Sequence, residues 1–331
     1  MALDLIAVIG AGAWGTALAV IMAREGRDVV LWARRPELAA EINRDHQSRD
    51  FLPQVDLPNT LRATSDLAEA CAGRGAILLV VPSTYVRDLC RRLTPHVAED
   101  APIILCAKGV EAQSGALMSE IAQDELPNHP VGALSGPTFA AEVARGLPTA
   151  ITLSIPGTDA PAIAEAIRTP AFRPYLSDDL IGVQIGGAVK NVIAIASGIA
   201  TGLKLGSNAQ AALITRGLAE IARLAVARGA RAETLMGLSG LGDLALTCSS
   251  PQSRNMAFGI GLGDGQSMAD LLSGRRSVVE GIENARTVTA AARALDVELP
   301  ICEAVNAVLQ HGTDIKTAIR ALLDRPLRSE V

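Results

Sequence analysis

The run Leu5-Ile-Ala-Val-Ile-Gly-Ala-Gly-Ala-Trp-Gly15 joins an apolar stretch to three glycines, and its reading decides the fold of the first half of the chain. Five consecutive apolar residues have the unbroken hydrophobicity of a strand buried on both faces. A helical pattern follows at once over residues 13–24. The glycines Gly10, Gly12 and Gly15 have G-x-G-x-x-G spacing, and each has a physical task. The first allows a tight turn, the second lets backbone approach a pyrophosphate, and the third lets the helix lie close on the strand. Free N–H groups at the helix start then face the anion. In a chain with 30 glycines such a triplet alone says little. Its place between a strand and a helix makes it a dinucleotide-binding signal.

Working outward, apolar runs at 28–32, 76–81, 102–106 and 131–134 read as further buried parallel strands, with two more strands at 150–155 and 173–176. Helical patterns at 36–43, 85–93 and 114–123 lie between several of them. This alternation predicts an α/β, Rossmann-type doubly wound sheet with right-handed crossovers. Beyond residue 178 nearly every segment has helical periodicity. The expected organisation is therefore a dinucleotide-binding domain over 1–180 and an all-α, substrate-binding domain over 181–331.

The 331-residue chain is 49% hydrophobic and 20% charged, a composition that belongs to packed domains rather than disorder. A formal net charge of −5 argues against nucleic acid as a general partner. The five cysteines, Cys71, Cys90, Cys106, Cys248 and Cys302, include no Cys-x-x-Cys pair. They read as reduced thiols of a cytoplasmic protein, and no spacing suggests a metal site. No basic leader precedes the first strand, which agrees with that location.

The second strand speaks to the cofactor. An acidic residue about 20 positions past the glycines takes the ribose 2′-hydroxyl in NAD-preferring folds. Here Asp28-Val-Val-Leu-Trp-Ala33 runs into Arg34 and Arg35. A guanidinium binds a phosphate bidentately, so NADPH is favoured over NADH, with Arg34 the closer contact. Two solvated arginines closing a strand is the plainer alternative.

In the apolar stretch from Leu180 to Leu203, Lys190 is the only charged side chain. Polar interruptions at Gln184, Lys190, Asn191 and Ser197, with five glycines, make it a poor membrane span and a good buried helix. Burial lowers a lysine's pKa toward neutrality, where it can both give and accept a proton. The alternative is a lysine that snorkels along its stem to water.

Further on, Asp243 lies in an apolar, glycine-rich turn, and Thr247 would share its face on a helix. Ser253, Arg254 and Asn255 follow a Ser-Ser-Pro segment that reads as a helix entrance, a setting for a phosphate. Alone, Asp243 could be an N-cap. Lys108 closes the strand at 102–106, where parallel strands deliver ligand-facing residues. Gly136, Pro137, Thr138, Phe139 and Ala140 follow another strand and would line the same crevice.

Taken in order, the glycine motif with Trp14, Ala107-Lys108-Gly109, Ser135-Gly-Pro-Thr-Phe-Ala140, Lys190-Asn191-Val192, Gly242-Asp243-Leu244 with Thr247-Cys248, Ser253-Arg254-Asn255 and Val278-Val-Glu280-Gly281 resemble bacterial glycerol-3-phosphate dehydrogenases over nearly the whole chain. The resemblance implies reversible hydride transfer between NAD(P)H and dihydroxyacetone phosphate, giving sn-glycerol 3-phosphate for glycerophospholipid synthesis. It implies Lys190 as proton donor and acceptor. Substrate positions implied are Lys108, Gly136, Thr138, Lys190, Asn191, Asp243, Thr247, Ser253, Arg254 and Asn255. Implied cofactor positions are Gly10, Gly12, Ala13, Trp14, Gly15, Arg34, Lys108, Ala140, Arg254, Val278 and Glu280. A cytoplasmic homodimer is implied too.

Two other readings remain at this point: a related β-hydroxyacid dehydrogenase with a helix-borne lysine, and a dinucleotide sensor without catalysis. None of the four histidines, His46, His96, His129 and His311, falls in a motif, which argues against a histidine-based dehydrogenase.

Overall fold

The computed structural model describes residues 3–273 and 278–326. Its strands are β1 (Leu5–Ile9), β2 (Asp28–Trp32), β3 (Arg62–Thr64), β4 (Ala76–Leu79), β5 (Ile103–Leu105), β6 (Val131–Ser135), β7 (Thr149–Ser154) and β8 (Phe172–Ser177). They form one sheet in the order β3-β2-β1-β4-β5-β6-β7-β8. The first six strands are parallel; β7 runs against β6, and β8 runs parallel to β7. The chain moves outward from β1 through β2 to β3, then returns to lay β4 on the other side of β1. That reversal opens a crevice at the carboxyl ends of β1 and β4.

Alternation along each strand feeds two cores. Ile6 and Val8 of β1 join Val29 and Leu31 of β2 on one face, while Ala7 and Ile9 join Val30 and Trp32 on the other. Helices α1 (Ala13–Arg24), α2 (Pro36–Asp45), α3 (Leu67–Cys71), α4 (Val86–Leu93), α5 (Met118–Glu125), α6 (Ala140–Ala144) and α7 (Ala160–Ile167) connect the strands. The Rossmann-type doubly wound sheet read from the sequence is therefore present.

Several details differ from that reading. β3 has three residues, too few to carry a periodicity, and the five-residue helices α3 and α6 escaped for the same reason. The helix expected from 114 begins at Met118, because Gly115 turns the chain through φ +71°.

Beyond β8 every regular element among the described residues is helical: α8 (Leu180–Gly202), α9 (Ser207–Ala227), α10 (Asp243–Ser249), α11 (Arg254–Gly263), α12 (Met268–Leu272), α13 (Glu280–Ala294), α14 (Pro300–His311) and α15 (Ile315–Leu323), with short tighter and wider turns before α10. α8 is long and apolar enough to cross a membrane, but it is the buried axis of this helical half. Asp179 caps it, accepting from Gly182 N at 2.8 Å, and also accepts from Arg231 N and the Thr234 hydroxyl.

α8 and α11 meet almost backbone to backbone. A Cβ at Gly198 would lie 2.2 Å from Met256 O, one at Gly259 2.2 Å from Ile195 O, and one at Gly263 2.5 Å from Ile199 O. Glycines four apart on both helices make this approach possible, and it brings the start of α11 alongside the middle of α8.

Candidate active site

At the first crevice Gly10 adopts φ +126°, and a Cβ there would sit 2.1 Å from Val80 O. A Cβ at Gly15 would fall 1.9 Å from Gly10 O, so the helix touches the turn directly. At Gly12 the opposite holds: nothing lies within 4 Å of the Cβ position. Gly12 is also the N-cap of α1 and brings no side chain to its free N–H groups. The three glycines thus make an open, anion-ready cradle that fits a dinucleotide pyrophosphate. Ala13 and Trp14 begin α1 beside it, with the Trp14 ring 6.4 Å from that of Phe172.

The two arginines after β2 have different neighbours. Arg35 is committed, with Nη2 2.8 Å from Asp50 Oδ2 and its guanidinium 5.8 Å above the Phe51 ring. Arg34 is exposed, lies 5.8 Å above the Tyr85 ring and has no ion pair among the described residues.

The second centre is built around Asp243. Wide-turned backbone over Leu238–Gly242 leads into α10, packed so closely that a Cβ at Gly240 would meet Leu235 O at 2.1 Å. A Cβ at Gly186 of α8 would meet Ser239 O at 2.3 Å. This contact sets Asp243 opposite Lys190, one helical turn beyond Gly186. Lys190, only 7% exposed as a residue, donates from its ammonium to Asp243 Oδ1 and, at 2.9 Å, to the Thr247 hydroxyl. Thr247 in turn donates to Asp243 O at 2.6 Å. The other carboxylate oxygen, Oδ2, receives Lys108 Nζ at 2.7 Å. The snorkelling alternative for Lys190 is excluded by this geometry.

Charge states follow from the surroundings. Desolvation is the main influence on Lys190, and with Lys108 nearby it brings the ammonium down to about 8 despite the attraction of Asp243. Burial also works against the Lys108 charge, but Asp243 outweighs it and holds that pKa above the ordinary value. Burial would raise the Asp243 carboxyl; two adjacent ammonium groups reverse this and keep it ionised. The first turn of a helix favours the same negative charge.

Several of the remaining sequence candidates adjoin these three residues. Asn255 donates to Asn191 Oδ1 at 2.9 Å and accepts from Gly281 N at 2.9 Å, while Asn191 Nδ2 is buried with no partner among the described residues. Ser253 caps α11 by accepting from Met256 N at 3.2 Å. Arg254, the first residue of α11, is exposed and makes no ion pair among the described residues. Glu280 opens α13, where burial raises its pKa against the charges of Arg254, Lys108 and Lys190. Val278 beside it is half exposed. Thr138 donates to Gly136 O at 3.3 Å, and the neighbouring Pro137 packs 3.6 Å from the Cβ position of Gly242. Ala140 begins α6 and borders the sheet core.

Sequence reasoning passed over Tyr85, under Arg34, and Asn284, which donates to Ala188 O and Lys108 O. Asn284 stands four positions after Glu280 on one helix, a spacing that could have drawn attention to it.

A dinucleotide cradle in the sheet and a buried lysine–carboxylate–lysine cluster beside it define the class, an NAD(P)-dependent oxidoreductase. The family model for the NAD-dependent glycerol-3-phosphate dehydrogenase N-terminus matches residues 5–160, and that for the C-terminus matches residues 179–320. The chain belongs to this NAD-dependent glycerol-3-phosphate dehydrogenase family. It is 54% identical to the glycerol-3-phosphate dehydrogenase (NAD(P)+) of Rhodospirillum rubrum, over 99% of this chain and 94% of that protein. It is 52% identical to the protein of that name from Caulobacter vibrioides, over the full length of both. The crystal structure of glycerol-3-phosphate dehydrogenase from Coxiella burnetii superimposes with a TM-score of 0.93 at 41% identity, covering 97% of this chain and 98% of the other.

Proposed function

We propose that the chain reduces dihydroxyacetone phosphate to sn-glycerol 3-phosphate with NADPH, reversibly, and that Lys190 gives and takes the proton. The observation that carries this reading is the Lys190 ammonium, buried against Asp243 and Thr247 with its pKa brought to about 8. Such a group holds a proton at neutral pH and releases it with little cost, as a general acid must.

The family and the glycine cradle support an NAD(P)H cofactor held by Gly10, Gly12, Ala13, Trp14, Gly15 and Ala140, with Arg254, Val278 and Glu280 closing from the helical side. A reduced nicotinamide held by these residues would supply the hydride for the carbonyl carbon. Lys190 protonates the oxygen as negative charge develops on it, and a water-poor site strengthens that stabilisation. Asp243 and Thr247 aim the ammonium. Lys108 adds positive charge near the same oxygen, and Asn191 Nδ2, without a partner among the described residues, offers a further donor. Arg254, Asn255 and Ser253 at the start of α11, with the Gly136–Thr138 backbone, hold the phosphate. That remote binding energy fixes the reacting carbon.

Arg34, exposed and without an ion pair among the described residues, supports preference for NADPH, since its neighbour Arg35 is taken by Asp50. We assign an NAD(P)-binding domain to residues 1–180 and a helical, substrate-binding domain to 181–331, a division at the end of the sheet, with each domain lending residues to the other's ligand. An apolar groove among α9, α14 and α15, bordered by the exposed Leu205, Val226 and Leu323, supports a homodimer. A cytoplasmic place at the entry to glycerophospholipid synthesis fits the family and the five free, buried cysteines.

The test is loss of nicotinamide absorbance with dihydroxyacetone phosphate, run separately with NADH and NADPH. Turnover with a β-ketoacid but not with the phosphorylated ketone would move the assignment to the related dehydrogenases. Cofactor binding without any turnover would indicate a sensor.

A further inference from the structure

Asn284 is 1% exposed and sits on α13, one turn after Glu280, where nothing in the proposed chemistry requires an amide. Its Nδ2 donates to Ala188 O at 2.9 Å and to Lys108 O at 3.4 Å. The first bond reaches α8 just before Lys190; the second reaches the backbone of Lys108, on the loop after β5. One side chain therefore ties together the three segments that carry Lys108, Lys190 and Glu280. The loop has little freedom around this tie. A Cβ at Gly109 would lie 2.5 Å from the Ser83 hydroxyl and 3.3 Å from Asn284 Oδ1, so its backbone is wedged between those two side chains. The same face of α13 carries Gly281, whose N–H donates to Asn255, which itself donates to Asn191. No other side chain among the described residues donates to the backbone of both the Lys108 loop and α8.

We infer that Asn284 is a positioning residue that sets the distance between the Lys108 and Lys190 ammonium groups by anchoring their two backbones to α13. This rests on the lysine-based reduction proposed above. Asn284 acts through the two lysines and touches neither substrate nor cofactor in this scheme. Hydrogen bonds to carbonyls fix the loop, and the loop fixes where the Lys108 charge stands relative to Lys190. The groups facing Lys190 are Asp243 on α10, Lys108 on the loop, Glu280 on α13 and Cys248, whose thiol burial pushes up to about 12. Of these, only Lys108 is both positively charged and tethered by Asn284. Loosening the tether weakens the repulsion between the lysines.

The experiment measures kcat against pH for ketone reduction by the full-length wild-type protein, Asn284→Ala and Asn284→Thr, together with KM for NADPH and the melting temperature. In Asn284→Ala we expect kcat to fall roughly 10- to 100-fold, the scale of a small misplacement of catalytic groups. KM for NADPH should rise several-fold less than kcat falls, since the glycine cradle in the sheet is untouched and only Lys108 and Glu280 at the edge of the cofactor site share the tie. The alkaline fall in kcat should move to higher pH. Asn284→Thr, which keeps one hydroxyl donor, should recover part of both effects. An active wild type with an Asn284→Ala variant of unchanged kcat and unchanged alkaline limb overturns the inference. So does a loss that only tracks unfolded protein while the limb stays in place. If Asn284→Ala does not fold, Asn284→Thr is judged by the same two numbers. A wild type that consumes no NADPH refutes the proposed reaction instead, which keeps the two failures apart.

Discussion

Lys108 Nζ lies 2.7 Å from Asp243 Oδ2, an ion pair between residues 135 positions apart that joins the sheet half of the molecule to its helical half. Because Oδ1 is given to Lys190, one carboxylate bridges two ammonium groups and offsets part of their mutual repulsion. Asp243→Asn should therefore be far from conservative. An amide has one acceptor oxygen and no charge, so one lysine loses its partner and both lose their common counter-ion. The pKa of Lys190, already down to about 8, should drop further, leaving the amine neutral at physiological pH. We expect kcat for reduction to fall about 10²- to 10³-fold, within the range that a positioned general acid contributes. Thermal unfolding should show a smaller loss than the roughly 3–5 kcal/mol typical of a broken buried pair, because Lys190 can shed its charge. A variant with wild-type turnover would remove Asp243 from the scheme.

The Lys190 pKa of about 8 also gives a sign to the pH dependence. In the proposed mechanism reduction consumes the proton of the ammonium form, so kcat should be level below about 8 and decline above it. Oxidation of sn-glycerol 3-phosphate needs the free amine, so its kcat should climb with pH through the same region. Steady-state assays in both directions, on one protein sample, check the pair of limbs. Parallel profiles in the two directions would mean that the titrating group is not the proton carrier.

Cofactor preference gives a prediction in which two adjacent arginines part company. Arg34 is free to meet a 2′-phosphate, whereas Arg35 is held by Asp50 and lies over Phe51. Charge-assisted hydrogen bonds are worth roughly 1.5–3 kcal/mol, about 10- to 100-fold in binding. Arg34→Ser should lower kcat/KM for NADPH by about that factor and leave the NADH value nearly unchanged. Arg35→Ser should shift the ratio much less. Equal effects of the two substitutions would mean that neither reads the ribose phosphate specifically.

The contrast between these residues shows where sequence reading stops. Gly10, Gly12 and Gly15 are legible because their function depends on local backbone, and β1 and α1 appear with the boundaries their pattern gives. Lys190 is legible as a charge in an oily helix. Which oxygen of Asp243 it takes is not, because the contact spans 53 positions and depends on glycine-mediated packing of Gly186 on Ser239. Likewise Arg34 and Arg35 look alike until Asp50 claims one of them. β3 leaves no trace because three residues cannot display a period, and the reversal of β7 against β6 has no signature in an apolar run.

The glycine contact between α8 and α11 leads to a prediction that separates substrate capture from cofactor binding. Gly198 and Gly259 allow an approach in which any Cβ would stand about 2.2 Å from a carbonyl oxygen of the other helix. Alanine at either position must push the helices apart, and overpacking of this kind costs about 1–3 kcal/mol. The displacement should be felt at the start of α11, where Ser253, Arg254 and Asn255 lie, because the helix moves as a rigid rod. Asn255 is hydrogen-bonded to Asn191 on α8, so separating the helices strains the very link that orients the proposed phosphate site. Gly259→Ala should therefore raise KM for dihydroxyacetone phosphate about 10-fold or more while KM for NADPH, set mainly by the sheet cradle with Arg254 only closing over it, rises several-fold less. Arg254→Ala should raise KM for dihydroxyacetone phosphate as strongly without the loss of thermal stability, and should raise KM for NADPH too, because Arg254 also closes on the proposed cofactor site. If Gly259→Ala lowered stability but left both KM values at wild-type level, the packing of α11 on α8 would have no part in holding the phosphate.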